Sequence, residues 1–142
     1  MTIEEAFSHF AAHYPLEVPP EAVEQELELL ILEEKQRMQY ETLTGAAMHL
    51  HPQLELEEAM DDLRRQAQCT AKEALVLRTL LAEQEFSLTP QELEAEAEAL
   101  AQRRNTTVEE LRRFLGQELS LLRRDLLERK AMAWAARQEG WT

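Results

Sequence analysis

Apolar residues recur at helical spacing along nearly the whole chain, and in one segment they occupy two sides of the same helix. Ile3, Phe7, Phe10 and Tyr14 share one edge of a short amphipathic helix. From Glu21 to about Met48, advancing roughly 100° per residue, Val23, Leu27, Leu30, Ile31 and Met38 gather on one side. Leu29, Leu32, Tyr40 and Leu43 gather on the other. One such face packs inward. The second needs another layer of the same chain, a partner subunit, or a loosely held apolar client. A third helix, from about Leu56 to Glu85, carries the stripe Leu56, Met60, Leu63, Ala67, Ala71, Ala74, Leu77 and Leu81, with Leu75, Val76 and Leu80 off it. The last segment aligns Val108, Leu111, Leu115, Leu119, Leu122, Leu126 and Ala133, leaving Phe114, Leu121 and Met132 outside the stripe.

Cap and proline signals set the boundaries. Thr2 with Glu5 forms a capping box, Pro15 ends the first helix, and Pro20 fits the first turn of the second. Pro52 disfavours helical geometry at His51, so a turn is expected over His49 to Gln53. Thr89-Pro90-Gln91-Glu92 is a second capping box, with Leu88 placed to staple onto Leu93. Asn105-Thr106-Thr107 with Glu109 or Glu110 caps the final segment, which bends or breaks near Gly116. The expected helices are therefore about 2–14, 20–48, 55–85, 89–104 and 107–139. At about 1.5 Å per residue the second and third are each roughly 40 Å long. The reading is an all-α, elongated domain spanning 1–142, with long helical arms.

Composition supports that class and narrows the partners. Hydrophobic content is 44% but aromatics only 6%, with three glycines, which suits helices rather than sheets. No stretch reaches the roughly 18 uncharged apolar residues of a membrane span, and the N-terminus lacks a signal-peptide pattern, so no membrane partner and a cytoplasmic location are expected. The net charge is -13, with 28 acidic and 15 basic residues, a field that repels phosphate backbones and excludes direct nucleic-acid binding. The run Glu17 to Glu34 holds carboxylates but only apolar and neutral residues between them, and reads as a solvated face that could also steer basic polypeptides. The lone Cys69 excludes an internal disulfide and fits a reducing compartment.

Reactive chemistry finds no support. His9 and His13 stand four apart, on one helix face, but no third ligand or His-Glu-x-x-His arrangement accompanies them, so they read as surface histidines. His49 and His51 flank a turn and read as exposed polar residues. Cys69 lacks the strained or glycine-rich context of a nucleophile, and is expected to be a small helical residue. Carboxylate pairs such as Asp61-Asp62 lie on solvated faces that do not raise a pKa for acid catalysis. With no Gly-x-x-x-x-Gly-Lys loop either, no enzyme activity, metal or cofactor is expected. Trp134 and Trp141 read as a packed aromatic and a near-terminal residue.

Taken in order, Phe7 to Thr142 resembles the C-terminal domain of trigger factor, a bacterial chaperone. The stretch Tyr14-Pro15-Leu16-Glu17-Val18-Pro19-Pro20-Glu21 is similar to the family's Pro-x-Glu-Val-Pro turn into a long acidic helix. Phe86-Ser87-Leu88-Thr89-Pro90-Gln91-Glu92 resembles its extended turn into a Thr-x-x-Glu helix start. Thr107-Val108-Glu109-Glu110-Leu111 and Leu126-Leu127-Glu128-Arg129-Lys130-Ala131 resemble its final helices. SurA-type helical chaperones share such signatures. In the family a ribosome-docking domain and an FKBP-like prolyl isomerase domain precede this region, and neither has room in this chain, so isomerase activity is not expected. The resemblance implies a helical body with two arms that shelters unfolded or nascent polypeptides without ATP. The residues expected to meet such clients are Leu29, Leu32, Tyr40, Leu43, Leu75, Val76, Leu80, Phe114, Leu121 and Met132. The alternative is a structural or adaptor module that forms a homodimer or binds one dedicated protein partner.

Overall fold

The computed structural model describes residues 1–141, and its regular elements in that range are all α-helices: α1 (Ile3–His13), α2 (Pro20–Thr44), α3 (Pro52–Glu83), α4 (Pro90–Arg103), α5 (Val108–Leu115) and α6 (Ser120–Gln138). Both predicted capping boxes close. Glu5 N–H donates to Thr2 Oγ1 at 3.1 Å while Thr2 N–H donates to Glu5 Oε2 at 3.2 Å. At α4, Glu92 N–H donates to Thr89 Oγ1 at 3.1 Å and Thr89 N–H to Glu92 Oε1 at 3.2 Å. Lys130 from α6 reinforces this corner, donating to Ser87 O and pairing with Glu92, both at 2.6 Å. The Lys130 hydrogen bond, followed by the Thr89 N–H, holds the Glu92 carboxyl below its ordinary pKa. Thr89→Ala is expected to cost about 0.5–2 kcal/mol, seen as a lower denaturant midpoint with an unchanged slope.

Two boundaries differ from the periodicity. The second helix stops at Thr44, not near residue 48, because Gly45 takes a left-handed φ of 78° and ends the ladder. The third starts at Pro52, within the stretch expected to be a turn. Pro52 sits in the first helical turn, where a missing N–H costs nothing, and Glu55 N–H bonds back to His51 O at 3.1 Å. The 107–139 segment breaks near Gly116 as expected, into two helices parted at Gly116 (φ 91°) and Leu119 (φ 52°).

The chain divides into two compact units, Ala11–Val76 on one hand and Met1–Phe10 with Leu77–Thr142 on the other. In the first, α2 and α3 run antiparallel. Leu27 and Met38 are buried with Leu56, Leu63 and Ala67, and Val23, Leu30, Ile31, Ala59 and Met60 pack around them. In the second, α4 packs on α5 and α6. Leu93, Ala97, Leu119 and Leu122 form its core, flanked by Leu88, Leu100, Val108, Leu115 and Leu126. Trp134 is a packed aromatic there, edge-on to Phe10 at 5.9 Å and to Phe86 at 6.5 Å between ring centroids.

The stripe read along α3 holds only for its first half. Leu56, Leu63, Ala67 and Ala71 are buried as expected, but Ala74 is exposed and Leu77 and Leu81 are half-buried. Val76 and Leu80 are buried instead, at 0% and 1% exposure, so their assignment to an open surface is corrected. From Ala71 to Val76 the inward side turns through about 140°, since five residues exceed one helical turn by that angle. The switch falls where the chain passes from one unit to the other.

Candidate functional site

The two sides of α2 behave differently. The Val23, Leu27, Leu30, Ile31 and Met38 side fills the α2–α3 core. Leu29, Leu32, Tyr40 and Leu43 remain exposed, Tyr40 at 68% and Leu43 at 80%. The turn adds exposed residues that periodicity did not single out, Met48, Leu50 and Leu54. They lie in the connection and the first turn of α3, outside any run long enough to show a period. An apolar residue beside a proline-marked turn is the only signal they carry.

Where Leu43 meets the start of α3 lies a cleft of about 420 Å³, lined by Lys35, Met38, Gln39, Thr42, Leu43, His49, Pro52, Gln53 and Leu56. Its lining is mostly carbon. Met38 and Leu56, both buried, belong to the core beneath, and exposed Leu43 belongs to the open surface, so the cleft leads from one to the other. Concave apolar surface with few polar groups is the form that accepts an apolar side chain from outside.

A chain of charges borders this cleft. Arg37 bonds Glu34 and Glu41 along α2, and Nε donates to Glu34 Oε2 at 3.2 Å. That guanidinium lowers the Glu34 pKa. His49 is not the exposed polar residue the sequence suggests, its side chain being only 10% exposed. Its Nε2 lies 3.0 Å from Glu41 Oε1, and its Nδ1 lies 2.9 and 3.1 Å from the two oxygens of Glu55. Ionised carboxylates only accept, so both ring nitrogens must carry protons to satisfy this geometry. The bonds to Glu55 and then Glu41 raise the His49 pKa above its ordinary value. Partners eight residues before and six after, on two different helices, leave no motif in the sequence.

The remaining candidates are scattered. Phe114 is 84% exposed on α5, beside a second cleft of about 370 Å³ lined by Leu100, Arg104, Thr106, Glu110, Leu111 and Leu115. Leu121 is exposed on α6, and Leu75 and Met132 are half-buried. The α2–α3 hairpin therefore brings together Leu29, Leu32, Tyr40 and Leu43, whereas Phe114, Leu121 and Met132 belong to the other unit. His9 Nδ1 contacts Glu139 Oε2 at 2.7 Å. Among the described residues no group of three or more His, Cys, Asp or Glu is placed to hold a metal, and Cys69 is a free, exposed helical residue. No described helix is long and apolar enough to cross a membrane.

Comparison with known proteins agrees with a helical scaffold of this kind. The trigger factor of Exiguobacterium sibiricum is 30% identical over 122 residues, which cover 82% of this chain and 28% of that protein. The chain thus spans under a third of the relative it matches. No solved structure matches it significantly. The family model for the C-terminus of bacterial trigger factor matches residues 2–137. In that family the C-terminal region is the chaperone part, and prolyl isomerase activity belongs to a separate domain. An all-α chain matched from near its first residue to the end of α6 belongs to the bacterial trigger factor C-terminus family.

Proposed function

We propose that this chain is an ATP-independent, cytoplasmic chaperone module that holds exposed apolar segments of unfolded or nascent polypeptides on its α2–α3 hairpin. The observation that carries the reading is the second apolar side of α2. With the core side already filled, Leu29, Leu32, Tyr40 and Leu43 still face solvent. Extended by Met48, Leu50 and Leu54, that surface is more than scattered single apolar residues. Family membership supports the same role.

Each client side chain buried there would contribute roughly 1.5–3 kcal/mol. The cost of ordering client and hairpin side chains offsets much of this, so contacts exchange readily. The net charge of -13 keeps complexes soluble and disfavours nucleic acid and anionic lipid as partners. Stoichiometric protein is expected to suppress light scattering by several unrelated unfolded proteins, and unchanged aggregation rates across such a set would remove the reading. Static light scattering of the protein alone tests the rival use of the same face. A tight homodimer that binds no unfolded chain would assign Leu29, Leu32, Tyr40 and Leu43 to self-association instead.

A further inference from the structure

The turn between α2 and α3 is fastened by one side chain. His49 reaches Glu41 on α2 with Nε2 and Glu55 on α3 with Nδ1, and the same ring forms part of the apolar cleft wall. Glu41 Oε1 is shared, accepting from Arg37 as well as from His49. The Glu55 carboxylate is hydrogen-bonded only to His49 among the described residues. The two anchors are therefore unequal: Glu41 keeps a hydrogen-bonded guanidinium if the ring lets go, whereas Glu55 keeps only the through-space attraction of Arg37.

We propose that His49 is a proton-controlled latch on this cleft, closed when the imidazolium ties the turn to both helices and released from Glu55 when the ring is neutral. A neutral imidazole has one N–H and one lone pair. One of the two carboxylates would then face a lone pair at hydrogen-bond distance. Keeping the proton on Nε2 retains the bond to Glu41, which Arg37 also holds in place, so Glu55 is the partner that separates. His49 then leaves the wall, and the floor at Met38 and Leu56 becomes more accessible.

The charged groups around the ring agree with this direction. Glu41 and, farther off, Glu34 act on it from α2, and Glu55 acts from α3. Arg37 stands behind Glu41, Lys35 lines the same cleft, and His51, the other titratable residue of the turn, is exposed. Three carboxylates (Glu34, Glu41, Glu55) balance three cations (Lys35, Arg37, His49) while the ring is charged. Loss of the proton leaves a net charge of -1 on the set. Because the folded state raises the His49 pKa, the latch contributes fully below the unfolded value of about 6.5. It is lost as pH rises through the higher folded value, the latched-to-released ratio falling about tenfold per pH unit beyond it. Regulation of client access rests on the holding function proposed above. The latch itself does not.

The test separates the two. NMR of the histidine rings and of 13C-labelled methionine methyls would be followed from about pH 5.5 to 9 with no client present. In the wild type, His49 is expected to titrate above the ordinary histidine range and the Met38 methyl to shift in step with it. In His49→Gln the Met38 signal should stay at its high-pH position throughout. In Glu55→Gln the His49 titration should move down. Circular dichroism checks that both variants stay folded. A His49 titration in or below the ordinary range, or a Met38 transition that persists in His49→Gln, overturns the latch. Binding of a permanently unfolded, S-carboxymethylated protein is then measured on both sides of the transition, and is expected to tighten above it. A methyl transition without any such binding leaves the latch standing and rejects the holding function.

Discussion

Replacing Leu119 by Ala is expected to destabilise the Leu93–Leu122 core by about 2–5 kcal/mol, the range for truncating a buried leucine. Leu119 is completely buried and packs with Leu93, Ala97 and Leu122. It is also the residue that turns the chain from α5 into α6, at φ 52° and ψ 46°. A left-handed conformation costs an L-residue roughly 1–2 kcal/mol, so the site trades backbone strain for burial. Comparing Leu119→Ala with Leu119→Gly exposes that trade. Both lose the isobutyl group, but Gly also loses the strain, and should be the less destabilising of the two by about 1 kcal/mol. Urea midpoints of the two variants provide the check. If Ala and Gly cost the same, the left-handed turn carries no strain in the folded protein.

Replacing Leu32 and Tyr40 together by Glu is expected to leave helicity and unfolding midpoint nearly unchanged while weakening client binding by more than an order of magnitude. Both side chains are over half exposed, so neither stabilises the core. Removing two anchors worth roughly 1.5–3 kcal/mol each, and placing carboxylates where apolar groups would land, removes most of a weak affinity. The contrasting pair, Val76→Glu and Leu80→Glu, should behave in the opposite way. Those side chains are sealed, and an unpaired carboxylate there would cost several kcal/mol and unfold the protein before client binding could be measured. Circular dichroism and a titration with unfolded protein on both pairs give the outcome. Loss of helicity in the Leu32/Tyr40 variant would place the second face of α2 in the core and end the holding hypothesis.

The contrast between these pairs marks where sequence reading succeeds. The filled and open sides of α2 are legible because both repeat within one continuous helix, and a helix turns by a constant angle per residue. Leu27 and Met38 are accordingly buried while Tyr40 and Leu43 are open. The Thr2, Thr89 and Thr107 caps are equally legible, since the hydroxyl and the N–H it accepts from are three residues apart. On α3 the same logic holds from Leu56 to Ala71 and then fails. A stripe identifies an inward face only while the helix has one neighbour set, and nothing local announces that Val76 and Leu80 answer to different surroundings than Ala67.

What the sequence by itself determined is everything that depends on neighbours within about one helical turn: the all-α class, the proline and cap boundaries, and the two-sidedness of α2. Tertiary structure alone decided the rest. It brought Glu41, His49 and Glu55 together around one ring. It also decided that apolar residues on the turn, such as Met48 and Leu50, stay open rather than folding under. The physical reason is range. Caps and periodicity are set by backbone geometry over three or four residues, whereas a clasp between two helices and the exposure of a turn depend on how the chain returns against itself.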